Sequence, residues 1–338
     1  MIETSGGTYP LVTMSGIGKR FGGVVACAGI DFALRPGEVH ALLGENGAGK
    51  STLINILSGV ITDYQGTVTV AGRERRFHGP ADAQAAGIAT IHQELDLVPG
   101  LSVAENIFLG REPRTGLRTV DRRRMRDGAT EQLARLGIEL DPRRPVAGLR
   151  IGERQLVEIA KALSLDARVL IMDEPTAALA DAEVRRLFTT IRRLRDHGVG
   201  IVYISHRLEE IEAVADRVTV LRNGAVAGTV DGDASRDRII SLMVGRSVDA
   251  LFGAGATAAP GPGELLLEIT DLAVRRATPL PGRTDPAGVT LSVRAGEIVG
   301  LAGLMGAGRT ELLETLYGAA PGGQLAGSIR VGGRAYRP

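Results

Sequence analysis

Between Leu11 and Val70 short apolar runs alternate with Gly, Asp and Pro, the rhythm of short strands broken by turns. The run Val39 to Leu43, fed by a turn at Arg35-Pro36-Gly37, predicts a buried strand, and Leu53 to Leu57 predicts a helix. Gly66 to Val70 alternates with period two and predicts a strand in an antiparallel layer. From Leu95 to about Leu165 the pattern turns helical and charged, which predicts a helical subdomain behind Ile91-His92-Gln93-Glu94. Its last stretch, Gly152 to Leu165, sets Leu156, Ile159, Ala160 and Leu163 at the spacing of an amphipathic helix with Gly152 at its N-terminus. An apolar strand, Arg168 to Met172, then ends in two adjacent carboxylates, Asp173 and Glu174. A helix follows with Val184, Leu187, Phe188, Ile191 and Leu194 on one face, Asp181 as its expected cap and Gly198 past its end. Ile201 to Ile204 predicts another buried strand, which delivers Ser205-His206 to the same edge of the sheet. Taken together these are the parts of an α/β chain built on a parallel sheet.

Composition narrows the partners. A chain of 338 residues exceeds the usual single core, so two domains are expected. The net charge of +1 gives no bulk attraction to nucleic acid or anionic lipid, and Arg122 to Arg126 reads as a solvated helix face. The single cysteine, Cys27, lies in an apolar stretch; it reads as a small buried side chain, fits a reducing compartment and excludes a disulfide framework. The N-terminus lacks a charged start followed by an apolar stretch, and no apolar run reaches the ~18 residues that span a bilayer, so a membrane role is expected through a partner.

The candidate chemistry sits between the strand at 39–43 and the helix after it. Gly44-Glu45-Asn46-Gly47-Ala48-Gly49-Lys50-Ser51-Thr52 is a strand, glycine-rich loop and helix sequence. Its glycines permit the torsions by which successive N–H groups face a polyphosphate at a helix N-terminus. Lys50 would reach the β- and γ-phosphates and Ser51 would hold Mg²⁺. The chain has only three lysines (Lys19, Lys50 and Lys161) among 40 Lys and Arg residues, yet one stands here. Asp173 is then the expected Mg²⁺ holder, Glu174 is placed to polarise an attacking water, and His206 to contact a γ-phosphate. Phe21, in a loop flanked by Gly22 and Gly23, reads equally as an adenine-stacking ring or as a residue folded onto the core.

The phosphate loop, Gln93, the Gly-headed helix at 149–153, the Asp173-Glu174 pair and His206 stand in fixed order, and this set resembles the ATP-binding cassette (ABC) family from about residue 11 to about residue 245. Ile-His-Gln-Glu-Leu, Ala-Glu-Asn-Ile-Phe-Leu-Gly-Arg-Glu (104–112) and Val-Glu-Ile-Ala-Lys-Ala-Leu (157–163) resemble the ribose, xylose and galactose-type sugar importers in particular. The resemblance implies a P-loop NTPase fold with a RecA-like parallel core, an antiparallel β subdomain and a helical subdomain at about 95–165. It implies that Phe21 stacks on adenine, that Gly44 to Thr52 hold the phosphates, and that Ser51, Gln93 and Asp173 order Mg²⁺ and water. Glu174 would be the base, with His206 and Gln93 beside it, and Ala178 and Leu179 would lie in the D-loop. Two cassettes would sandwich two ATPs, each nucleotide also meeting the other cassette's signature, here Arg150, Gly152 and Glu153. The implied protein is an ATPase at the cytoplasmic face of the membrane that works with two permease subunits and an extracytoplasmic sugar-binding protein, with no nucleic-acid partner. One residue departs from the pattern: the family signature begins Leu-Ser, whereas here Leu149 is followed by Arg150, whose charge would replace a hydroxyl contact with different geometry. A soluble cassette protein acting on ribosomes or DNA, and a nucleotide-binding module without turnover, are the competing readings.

The first pattern, expected to form one domain over 1–250, returns after a Gly/Ala/Pro linker at 251–263. Gly296 to Thr310 mirrors the earlier strand and loop, with Gly303 standing 259 positions after Gly44 and Arg309 in place of the lysine. Gly327 to Val331 mirrors the strand at 66–70. Residues 264–338 are therefore expected to be the N-terminal part of a second cassette, cut short, and too small to bury a sheet of its own.

Overall fold

The computed structural model describes residues 9–92, 96–245, 263–276, 284–303, 306–319 and 322–338. The chain divides into two compact units, residues 1–251 and 252–338.

The first unit is built on two sheets. β1 (Val12–Phe21), β2 (Val24–Leu34), β4 (Gln65–Val70) and β5 (Arg73–Arg75) form an antiparallel sheet in the order β2-β1-β4-β5. The second sheet has the order β10-β9-β3-β8-β7-β6, with β3 (Val39–Leu43), β6 (Ile88–Ile91), β7 (Val169–Asp173), β8 (Gly200–Ile204) and β9 (Arg217–Arg222) parallel. β10 (Ala225–Asp231) returns antiparallel at its edge. The central strands read as continuous apolar runs because both of their faces are covered. Along β7 and β8, Val169, Ile171, Val202 and Ile204 face a core shared with α1 (Lys50–Leu57) and the antiparallel sheet. Leu170, Met172, Ile201 and Tyr203 face the opposite core. That core is closed by α5 (Ile151–Leu163), α6 (Asp181–Asp196), α7 (Leu208–Val214) and α8 (Arg236–Val244).

The helical segment contains α3 (Val103–Ile107), α4 (Arg122–Arg135) and α5, a short helix α2 (Pro80–Ala85) having come before β6. Asn106, fully buried, ties α3 to the preceding loop by accepting from the Val98 N–H and donating to the Val98 and Ser102 carbonyls. Among the described residues no helix is long and apolar enough to cross a membrane.

Two local expectations are corrected. Asp181 does not cap α6: it is the first helical residue, Ala180 is the cap, and the Ala180 N–H is satisfied by Glu183 Oε2 at 3.1 Å. Phe21 is the last residue of β1 rather than a loop residue, because the turn that reverses the chain needs only Gly22 and Gly23.

Among its described residues the second unit has an antiparallel sheet of β11 (Leu265–Arg275), β12 (Val289–Arg294), β13 (Gln324–Val331) and β14 (Arg334–Tyr336), and a helix, α9 (Arg309–Tyr317). Its order, β12-β11-β13-β14, repeats β2-β1-β4-β5. Residues 298–302, which correspond in sequence to β3, form no strand, and Ile298 is 98% exposed. β3 is held by β8 and β9 on its two sides, and no described segment of the second unit supplies such neighbours.

Candidate functional site

The glycine-rich loop leaves the C-terminal end of β3 and opens α1. Gly44, Gly47 and Gly49 have φ values of +150°, +80° and +103°, and Gly49 is the residue that caps α1. Space forces two of the three: a Cβ at Gly44 would lie 2.4 Å from the Leu221 carbonyl oxygen, and one at Gly49 would lie 2.4 Å from that of Ala26. The loop is thus wedged between the end of β9 and a point in β2. At that point the pairing of β1 with β2 slips by one residue, so Ala26 is left over between Val25 and Cys27. The first turn of α1 carries neither an acidic residue nor a side-chain cap, which leaves the positive end of the helix to a ligand. Lys50 folds back over the loop and donates to the carbonyls of Gly44 at 2.7 Å and Glu45 at 3.1 Å. Burial lowers its pKa, and the charges of Glu174 and Asp173 act against that shift.

Those carboxylates arrive from the neighbouring part of the same sheet edge. Asp173 ends β7, and burial, followed by the charge of Glu174, raises its pKa. His92 and Lys50 pull in the other direction, so the lysine and the acid pair lie within each other's field. Glu174 has a φ of +46°, an uncommon torsion for a residue with a side chain, held by its N–H bond to the Ile204 carbonyl at 3.0 Å. Its Oε1 lies 3.2 Å from His206 Nδ1. Expected as a γ-phosphate ligand, His206 thus also touches the carboxylate expected to be the base.

Behind this edge is a group that the sequence reading missed. Glu210 on α7 is 3% exposed and accepts from the hydroxyls of Thr176, Tyr203 and Ser205 at 2.7 to 2.9 Å, with Arg207 Nη1 at 3.1 Å. It joins the chain after Glu174 to the chain around His206. The signal was an acid on the face of α7 that also carries Ile211 and Val214, where an unpaired charge would be costly.

Arg150, Gly152 and Glu153 form a separate group. Arg150 caps α5, and Glu153 Oε2 accepts from its N–H at 2.9 Å. The Gly152 N–H, expected to face an anion, donates to Glu183 Oε1 at 3.3 Å, so the protein's own carboxylate meets it. A Cβ at Gly152 would lie 2.7 Å from that oxygen. Gln93 lies outside the described residues. Ser51 is exposed and Thr52 half-buried at the start of α1, and Phe21 is 48% exposed. Among the described residues no cluster of three or more His, Cys, Asp or Glu side chains forms a metal cage. A single serine hydroxyl and one carboxylate beside a phosphate cradle would instead suit a Mg²⁺ ion that takes its remaining ligands from a nucleotide and water.

A phosphate cradle, an acid pair and a histidine on the carboxyl edge of a parallel sheet, flanked by an antiparallel sheet and a helical segment, make up the P-loop fold of the ATP-binding cassette type. Residues 27–177 match the family described as ABC transporter. The match takes in the phosphate loop and the acid pair. It is 54% identical over 325 residues to the ribose import ATP-binding protein RbsA 1 of Rubrobacter xylanophilus, covering 96% of this chain and 62% of that protein. Against the protein of the same name from Streptomyces avermitilis identity is 52%, covering 96% and 59%. The chain therefore spans about 60% of the length of these relatives. Among solved structures, a nucleotide-free ATP-binding cassette from an ABC transporter superposes with a TM-score of 0.61 at 25% identity, over 70% of this chain and 96% of that one. A cassette in its ADP conformation gives 0.62 at 25% identity, over 71% and 100%.

Proposed function

We propose that the chain binds and hydrolyses ATP as a subunit of an importer for a monosaccharide. The observation that carries the reading is the convergence of Lys50, Asp173, Glu174 and His206 on one sheet edge. The names of the relatives, ribose import ATP-binding proteins, support the cargo class. In this reading Gly44 to Thr52 hold the phosphates, Lys50 exchanges its two loop carbonyls for phosphate oxygens, and Phe21 takes the adenine. Ser51, Gln93 and Asp173 would hold Mg²⁺, which when bound neutralises charge on the phosphates. Glu174 takes a proton from the attacking water, and His206 keeps that carboxylate turned toward it while reaching the γ-phosphate. Arg150, Gly152 and Glu153 would meet a nucleotide carried by another cassette, within the chain or in a second one, once the Gly152 N–H leaves Glu183. Two membrane permease subunits, and through them an extracytoplasmic sugar-binding protein, complete the assembly at the cytoplasmic face. Residues 264–338 correspond to the N-terminal part of a second cassette; the repeated strand order supports this.

Glu174→Gln tests the enzymatic part. Loss of a general base is expected to lower turnover by about 100-fold or more while Mg-ATP still binds. Unchanged turnover with intact binding would favour the second reading, a binding module, for which Arg150 in the signature is the specific observation.

A further inference from the structure

Lys19 is among the most buried charged side chains of the first unit, at 8% exposure, and nothing in the phosphate chemistry uses it. Its ammonium donates to the Asp63 backbone carbonyl at 2.7 Å and pairs with Asp63 Oδ2 at 2.6 Å. It also lies 5.0 Å from the centroid of the Phe21 ring, within the range of a cation–π contact. Lys19 and Phe21 are two residues apart on β1 and so lean to the same side of the strand. The ammonium therefore stands against one face of a ring that remains 48% exposed.

The position of this ring relative to the phosphate loop is fixed. Phe21 pairs with Val24 at the end of the hairpin, and the register slip that follows pushes the Ala26 carbonyl against Gly49. Opposite Lys19, Cys27 Sγ lies 3.9 Å from the Gly49 carbonyl, and Ala28 N–H donates to Gly224 at 2.7 Å. The backbone beneath the ring is thus locked to the cap of α1. What the backbone leaves free is the side-chain torsion of a half-exposed phenylalanine, and the buried ammonium removes that freedom. A tetrahedral ammonium divides its donors among the carbonyl, the carboxylate and the ring, whereas a planar guanidinium would spread them in one plane. That accounts for a lysine here in a chain with only three.

We propose that Lys19 is a positioning residue for the base of the bound nucleotide: clamped by Asp63, it holds the Phe21 ring so that the ring's other face receives a purine. The inference rests on the nucleotide reading given above, and its test separates the two. Titration calorimetry of the full chain compares Mg-ATP with Mg-tripolyphosphate, which has the phosphates and no base. Lys19→Met keeps the apolar stem and leaves an Asp63 carboxylate that is 87% exposed and returns to water, so folding is retained. The expected result is a loss of ATP affinity of about threefold to thirtyfold, the range of a partly buried cation–π contact, with tripolyphosphate affinity within about twofold of wild type. In a Phe21→Ala background the lysine change is expected to add nothing further. Unchanged ATP affinity in Lys19→Met, an equal loss for tripolyphosphate, or a full additional loss in the Phe21→Ala background would each overturn the inference. Failure of the wild-type chain to bind either compound would overturn the nucleotide reading itself and take this inference with it.

Discussion

The chain contains two glycine-rich loops of nearly the same sequence, and the structure treats them differently. Gly44 and Gly303 would each bring a Cβ 3.0 Å from the Cβ of the alanine four residues on. Gly49 and Gly308 both cap a helix with positive φ, at +103° and +82°, and each presses on a carbonyl of its own unit, Ala26 at 2.4 Å or Thr284 at 2.7 Å. Helix cap and hairpin contact are therefore local products of the glycine spacing. The strand that should deliver the loop is not. Val39 to Leu43 are all but fully buried between β8 and β9, whereas the matching 298–302 form no strand and leave Ile298, Val299 and Leu301 exposed. The buried core of the second unit comprises Ile269, Leu272, Leu312 and Ile329. A parallel strand pairs only with strands distant in sequence, so a segment can carry the right residues and still lack the structure.

Amide hydrogen exchange should show the widest contrast. Amides of β3 are expected to exchange only through global opening, about 10⁴-fold or more slower than those of 298–302, which have no ladder partners. Equal protection of the two segments would break the comparison.

Substitutions within the first loop sharpen it. Gly49→Ala meets both a forbidden torsion and a carbonyl at 2.4 Å, and is expected to lower unfolding free energy by about 2–4 kcal/mol. Gly47→Ala has the torsion penalty at +80° but open space, and is expected to cost only about 1–2 kcal/mol. Urea melts of the two variants against wild type give the difference directly, and equal costs would remove the close approach of β2 from the account.

The smallest effect is on pH dependence. His40 on β3 is buried beside Arg217 and Glu38, stacks on Phe32 and bonds to Thr219 and the Ala33 carbonyl. Burial, with the Arg217 charge second, pulls its pKa from 6.5 down to about 3. The folded state thus holds it neutral where the unfolded chain protonates it, and its contribution, complete above pH 6.5, is lost as pH falls toward 3. By pH 5.5 the loss amounts to about 1.4 kcal/mol. Glu38, raised by burial, acts in the opposite sense, so the comparison is with a His40→Gln variant, in which this part of the slope should vanish. The matching position in the second unit is Val299, which cannot titrate.

What could be read from the residues follows the same division. The loop, the β7 strand with its acid pair, the helix from Gly152 and the Ile201–Ile204 strand were legible because each is a short run with its own periodicity. The Glu210 hub was not, since Thr176, Tyr203 and Ser205 meet it only after α7 folds against β8. The Glu183 carboxylate at the Gly152 N–H joins residues 31 apart, and the displacement of Asp181 by Ala180 at the α6 cap followed from the same side chain. The missing strand at 298–302 was masked by a local sequence as apolar as that of β3.

In the proposed function Lys50, and not the arginine in the matching place, grips a triphosphate opposite Asp173 and Glu174. Calorimetric titration of Mg-ATP into the wild-type chain, Lys50→Ala and Arg309→Ala tests it most directly. Loss of the charge-assisted phosphate bonds is expected to weaken binding at the first loop by about 100-fold in Lys50→Ala, with affinity retained in Arg309→Ala. Undiminished affinity in Lys50→Ala would contradict the account.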